Sequence, residues 1–217
     1  MKMVGEGTLP GVKLGSQWRF RRAMIDAWLD DQMLGVIPDE LHELATARLP
    51  KQMLALQSCF QPNQIVPELT AGTKTGVLDE LACFAHSLGL VRDKTWFFGA
   101  LMERENVMPT ASGSIAFLHT LHRNPEQVVR PFMVLGRSTP GIDFDALDGK
   151  PTHLFVVLGL KYQELHLPWL GKLSQMFAEP GTTPSVLQAA SPLEIFRLVT
   201  AAEHSLVSSA SAEAQEA

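Results

Sequence analysis

The chain is poor in cysteine, in long apolar runs and in charge of either sign. Cys59 and Cys83 are its only thiols, which excludes a disulfide framework and a four-cysteine zinc site. No apolar run reaches the length of a membrane span. The first residues lack the apolar stretch of a secretory signal. These absences lead to the expectation of a cytoplasmic protein with reduced thiols and no membrane partner. The balance of 18 basic against 23 acidic residues gives a net charge of −5. That opposes nucleic-acid binding across the whole surface and leaves room only for a local basic patch. There is no Walker A motif, no dinucleotide fingerprint, no G-x-S-x-G elbow and no internal repeat.

What is present is a chain of 217 residues, 46% hydrophobic and 19% charged, enough for one or two domains with a real core. Residues 1–32 are basic and aromatic: Lys2, Lys13, Arg19, Arg21 and Arg22 stand against Glu6 alone up to Arg22. There VKL and QWRF flank Gly15-Ser16 and read as a small β-hairpin. Met24, Ile25, Trp28 and Leu29 then recur at helical spacing, predicting a helix over 21–32. Residues 33–62, with Pro38, Pro50 and Pro62, read as a connector carrying one or two short helices. Residues 63–206 read as one compact α/β domain, and 207–217 as a disordered, polar tail.

In that domain Thr73 is a plausible N-cap for a helix closed by Gly89. Asp93 caps a second helix with Trp96, Phe97, Ala100 and Leu101. The runs 115–118, 132–136 and 153–159 read as buried strands. Pro168 places a helix start near His166, and a last helix covers about 191–204. This order predicts a sheet flanked by helices.

Seven histidines are present. His42, His86, His153 and His204 sit in helical or strand contexts without a polar constellation. His119 ends the run SIAFLH, where a chain leaves a buried strand at the rim of a sheet, a place where α/β folds bind ligands. A rim position there implies few core contacts. His166 lies at a helix N-terminus, which favours an anion. Arg104 closes the second helix; it either joins these two or meets the dipole at the helix end. Two imidazoles, a guanidinium and a helix N-terminus suit a phosphoryl group. His119 and His122 also form an H-x-x-H pair, but no third ligand stands at a sensible spacing, so no metal is expected.

Several stretches resemble, in order, the type-2 enzyme IIA domain of the bacterial phosphotransferase system, its fructose, mannitol and nitrogen-regulatory branch. They are IVPELTAGTKTGVLDELACFAHSLGLV, ALMERE at 100–105, PTASGSIAFLH at 109–119, GIDFDALDGKPTHLFVVLGL, and ELHLPWLGKLSQMF. The resemblance runs from about Gln64 to Ala202. It implies a mixed sheet flanked by helices, with His119 as phosphoacceptor, His166 as second active-site histidine, Arg104 facing the phosphate and Thr110 in the preceding loop. It implies no cofactor, and a histidine phosphocarrier (HPr-like) as donor. The chain departs from the family pattern in two places: Leu118 stands where proline usually precedes the histidine, and the glycine-rich approach is one residue shorter.

The stretch GTLPGVKLGSQWRFRRAMIDAWL resembles the second half of an excisionase-type, MerR-like winged helix, a fold that starts with a helix-turn-helix. That resemblance implies a remnant hairpin and helix, with Lys13, Arg19, Arg21 and Arg22 on the DNA backbone. The two helices expected ahead of it are missing from residues 1–6, so DNA binding is expected to be weak, or confined to an N-terminally extended form. Two readings follow. One is a cytoplasmic enzyme IIA-like regulator, phosphorylated on His119, linked to a DNA-binding module and to a downstream regulatory target. The other is a DNA-binding regulator whose enzyme IIA domain is an inactive sensor or scaffold. A plain sugar-specific enzyme IIA is a third.

Overall fold

The computed structural model describes residues 12–14, 17–19, 55–120, 124, 126–146, 148–161 and 166–216. Strands β1 (Val12–Leu14) and β2 (Gln17–Arg19) pair antiparallel, Lys13 opposite Trp18, as the flanked Gly-Ser pair predicts. The expected helix over 21–32, most of the connector, and the positions of Arg21, Arg22 and His122 lie outside the described residues.

Five strands make the main sheet: β3 (Ile65–Val66), β4 (Ala111–Ser112), β5 (Ile115–Leu118), β6 (Phe132–Ile142) and β7 (Thr152–Gly159), in the order β3-β6-β7-β5-β4. β5 runs parallel to β7, and β6 runs antiparallel to it. The pleat of β7 divides the core. Leu154, Val156 and Leu158 join one cluster, while Phe155 and Val157 join the other, because successive side chains point to opposite faces. Helices α1 (Lys74–Ser87) and α2 (Lys94–Val107) supply Leu78, Leu81, Phe97 and Leu101 to the second cluster. Helices α3 (His166–Ala178), α4 (Thr182–Gln188) and α5 (Pro192–Glu216) supply Leu170, Leu173, Val186, Ile195 and Val199 to the first. The result is the expected sheet flanked by helices.

Local capping works as the sequence implies. The Thr73 side chain accepts from Gly76 N–H at 3.2 Å. Asp93 accepts from Thr95 and Trp96 N–H at 2.8 and 3.1 Å. After α1, Gly89 takes φ +66, with its N–H on His86 O and Leu90 N–H on Ala85 O. That is a Schellman closure, which a residue without Cβ adopts at no steric cost. Gly159 answers a different demand: a Cβ there would fall 2.0 Å from Cε1 of Phe132 on the neighbouring strand.

Three expectations shift. Leu56, Cys59 and Phe60, in the stretch read as connector, are buried in the core; the nearby prolines obscure that apolar cluster in the sequence. Strand β6 runs on to Ile142, past the apolar run that marked it. The last helix continues to Glu216, through the stretch expected to be a disordered tail. Ala and Glu, frequent in that stretch, have high helix propensity.

Candidate functional site

The three residues singled out for phosphate chemistry converge. β5 delivers His119 one residue past Leu118, α2 carries Arg104 in its last turn, and α3 opens on His166. The parallel pairing of β5 with β7 puts the end of β5 beside the end of β7, from which the chain proceeds to α3. The rings of His119 and His166 lie edge to face, with centroids 4.8 Å apart.

His119 is not the loosely held rim residue expected from its place at a strand end. It is 2% exposed, because the α2 end and the α3 start close over it. Its Nδ1 stands 2.9 Å from Phe117 O. A carbonyl can only accept, so Nδ1 carries the proton. Arg104 Nε donates to His119 Nε2 at 3.1 Å, which requires a lone pair on Nε2. The ring is therefore a neutral imidazole whose lone pair sits on Nε2 and faces Arg104. Arg104 is fully buried, and its Nη1 donates to Met108 O at 2.7 Å. One side chain thus bonds a carbonyl just past its helix and also reaches the histidine.

Thr110 stands one step away from this centre. Its hydroxyl donates to Glu105 Oε1 in a short hydrogen bond, and its N–H donates to Oε2 at 3.3 Å. Glu105 is itself buried and pairs with Lys74 of α1 at 3.2 Å. Sequence reasoning gave neither Glu105 nor Lys74 a role. One usable signal exists: Lys74 lies in the first turn of α1, where the helix dipole disfavours a cation.

No group of three or more His, Cys, Asp or Glu residues suited to a metal occurs among the described residues. The side chains of Lys13 and Arg19 lie outside the described residues. No described helix is long and apolar enough to cross a membrane.

A buried neutral imidazole, its lone pair facing a guanidinium, beside a second histidine at a helix start, can receive a phosphoryl group and neutralise its charge without a metal. Known proteins resemble this chain in sequence and in fold. The sequence pattern of the phosphoenolpyruvate-dependent sugar phosphotransferase system, EIIA 2, matches residues 58–202. The fructose-specific EIIA component of Haloferax volcanii is 32% identical over 137 residues, covering 62% of this chain and 88% of that protein. The fructose-specific EIIABC component of Bacillus subtilis is 28% identical over 129 residues, but the match spans only 20% of its length. The crystal structure of nitrogen regulatory protein IIA-Ntr from Neisseria meningitidis shares the fold at TM-score 0.59 and 24% identity, over 64% of this chain and 95% of that one. So does the mannitol enzyme IIA of Escherichia coli in its complex with phosphorylated enzyme IIB, at TM-score 0.56 and 17% identity, over 65% and 97%. With more than half of the chain matched, this protein belongs to the EIIA type-2 family of the phosphoenolpyruvate-dependent sugar phosphotransferase system.

Proposed function

We propose that His119 accepts a phosphoryl group from phosphohistidine on a small carrier protein of the HPr type and passes it to a downstream acceptor, in the cytoplasm. The observation that carries this is the Phe117 O–His119–Arg104 chain, which leaves Nε2 as the attacking nitrogen. In the step, Nε2 forms a bond to phosphorus while the donor imidazole leaves with its electron pair. Arg104 turns from Nε2 to the phosphoryl oxygens as that bond forms, and the α3 N-terminus adds its dipole. Positioning and electrostatics supply the rate, with no cofactor. The enzyme IIB complex of the mannitol relative makes an enzyme IIB protein one candidate acceptor; a regulatory target is the other.

Incubation with enzyme I, a phosphocarrier and labelled phosphoenolpyruvate tests the reading. One acid-labile phosphoryl per chain is expected; none would leave the domain as an inactive scaffold. Arg104→Ala is expected to slow transfer by about 10- to 100-fold. A charge-assisted hydrogen bond contributes about 1.5–3 kcal/mol, and about 1.4 kcal/mol is tenfold. An unchanged single-turnover rate would remove Arg104 from the reaction.

The second part of the proposal is a regulatory link to DNA through the N-terminal segment. The β1–β2 pairing and the sequence likeness of residues 7–29 favour it. Phosphate contacts position a protein, whereas base contacts specify sequence. Lys13, Arg19, Arg21 and Arg22 would supply only the former, against a net charge of −5. Residues 1–217 are therefore expected to bind duplex DNA weakly and without sequence preference. Competition binding at about 0.15 M salt checks this, and sequence-selective binding by this chain would overturn it.

A further inference from the structure

Lys74 is the first residue of α1, and nothing in α1 itself explains a cation there, since the dipole opposes it. Its ammonium instead meets carboxylates from two other elements: Glu105 of α2 at 3.2 Å and Asp145 of the β6–β7 loop at 3.1 Å. It also lies 5.0 Å from the ring centroid of Phe144. The two carboxylates are not equivalent. The Asp145 side chain is 69% exposed, whereas that of Glu105 is 1% exposed. An exposed pair contributes little, while a buried carboxylate needs its counter-charge.

Glu105 uses its remaining capacity on Thr110, holding both its N–H and its hydroxyl. The preceding residue, Arg104, holds Met108 O with Nη1 and His119 Nε2 with Nε. Two consecutive side chains of α2 therefore grip one loop, at Met108 and at Thr110. If Glu105 releases Thr110, Met108 keeps its N–H on Arg104 O but loses the anchor on its C-terminal side, and the guanidinium loses one of the restraints that aim it at the imidazole.

We propose that Lys74 is a positioning residue for phosphoryl transfer: by compensating the charge of Glu105 it keeps the loop over 108–110 in place, and so keeps Arg104 on His119. This rests on the reading of His119 as the acceptor. A merely structural Lys74 would lower thermal stability and leave the imidazole as it was. A positioning Lys74 changes what Arg104 does at Nε2.

The test uses the full chain and three variants: Lys74→Met, Lys74→Arg and Thr110→Val. The ring ¹⁵N chemical shifts of His119 report the hydrogen bond at Nε2, independently of any activity. Transfer kinetics with a phosphocarrier separate the maximal rate from the half-saturating carrier concentration. Lys74→Met is expected to displace the Nε2 signal and to cut the maximal rate about tenfold, the equivalent of one misplaced charge-assisted bond. Half-saturation should stay unchanged, and Lys74→Arg should restore both readouts. Thr110→Val leaves the Lys74–Glu105 pair intact but releases the loop hydroxyl, so it should displace the same signal; it serves alone if Lys74→Met does not fold. Wild-type ring shifts in Lys74→Met, or in Thr110→Val, overturn the proposal. Absence of label in the wild-type chain overturns the acceptor reading itself, and the ring shifts tell that failure apart from this one.

Discussion

His119→Gln abolishes phosphoryl labelling while the chain stays folded; that is the expected result with the largest effect on activity. Glutamine is the better test than alanine because His119 is 2% exposed and bonded on both sides. Alanine would leave the Arg104 Nε–H and the Phe117 carbonyl without this partner, at about 1–3 kcal/mol for each buried group left unpaired. A glutamine amide can still offer an oxygen to Arg104 and an N–H to Phe117 O, yet it has no nucleophilic ring nitrogen. Acid-labile label after incubation with enzyme I, carrier and labelled phosphoenolpyruvate measures the loss. Equal labelling of wild type and variant would move the phosphoryl to another histidine, His166 or His122, and would sink the assignment.

The largest expected effect on stability lies where α3 meets α5. Lys172 of α3 and Glu203 of α5 form a short, buried ion pair, with side chains 11% and 5% exposed. Glu203 Oε1 also accepts the Leu56 N–H at 2.9 Å. The same carboxylate thus ties α3 to α5 and both to the segment where the core begins. Lys172 packs 5.7 Å from the Trp169 ring centroid as well. Glu203→Ala takes the counter-charge from a buried ammonium and the acceptor from a buried N–H. The expected cost is about 3–5 kcal/mol, or roughly 6–20 °C in Tm for a domain of this size. Denaturant unfolding measures it. The double variant Lys172→Met/Glu203→Leu should recover most of the loss, because an apolar pair of similar volume needs no charge compensation. A single variant as stable as wild type would show that the pair is solvated in solution. Cys59, beside the pair, offers a second readout. Burial first, and the charge of Glu203 next, push its thiol up to about 12, so in the intact fold it should resist alkylation near pH 8 and gain reactivity when Glu203→Ala opens the core.

Secondary structure was legible wherever a local rule governs it. Thr73, Asp93, Gly89 and Pro168 mark helix ends because capping geometry depends on one or two residues at fixed offsets. The runs at 115–118 and 153–159 mark strands because both faces of the sheet are covered, and each face demands apolar side chains. What escaped was short or long-range. β4 has two residues and α4 seven, too few to show a period. The burial of Leu56 and Phe60 depends on α5, which lies at the far end of the chain.

The site divides along the same line. Residue type and position along the chain, with the family likeness, sufficed to single out His119, His166 and Arg104 as candidates, because an imidazole at a strand end, a helix start and a guanidinium are properties of single residues in local settings. They also implied a sheet flanked by helices. Which ring nitrogen faces Arg104, how deeply His119 is buried, and that Thr110 serves Glu105 could come only from the folded chain. So could the convergence of Lys74, Glu105 and Asp145 from three separate elements. Hydrogen-bond direction and charge compensation depend on distances of about 3 Å between groups far apart in sequence, and no periodicity or spacing encodes such distances until the sheet and its helices have packed.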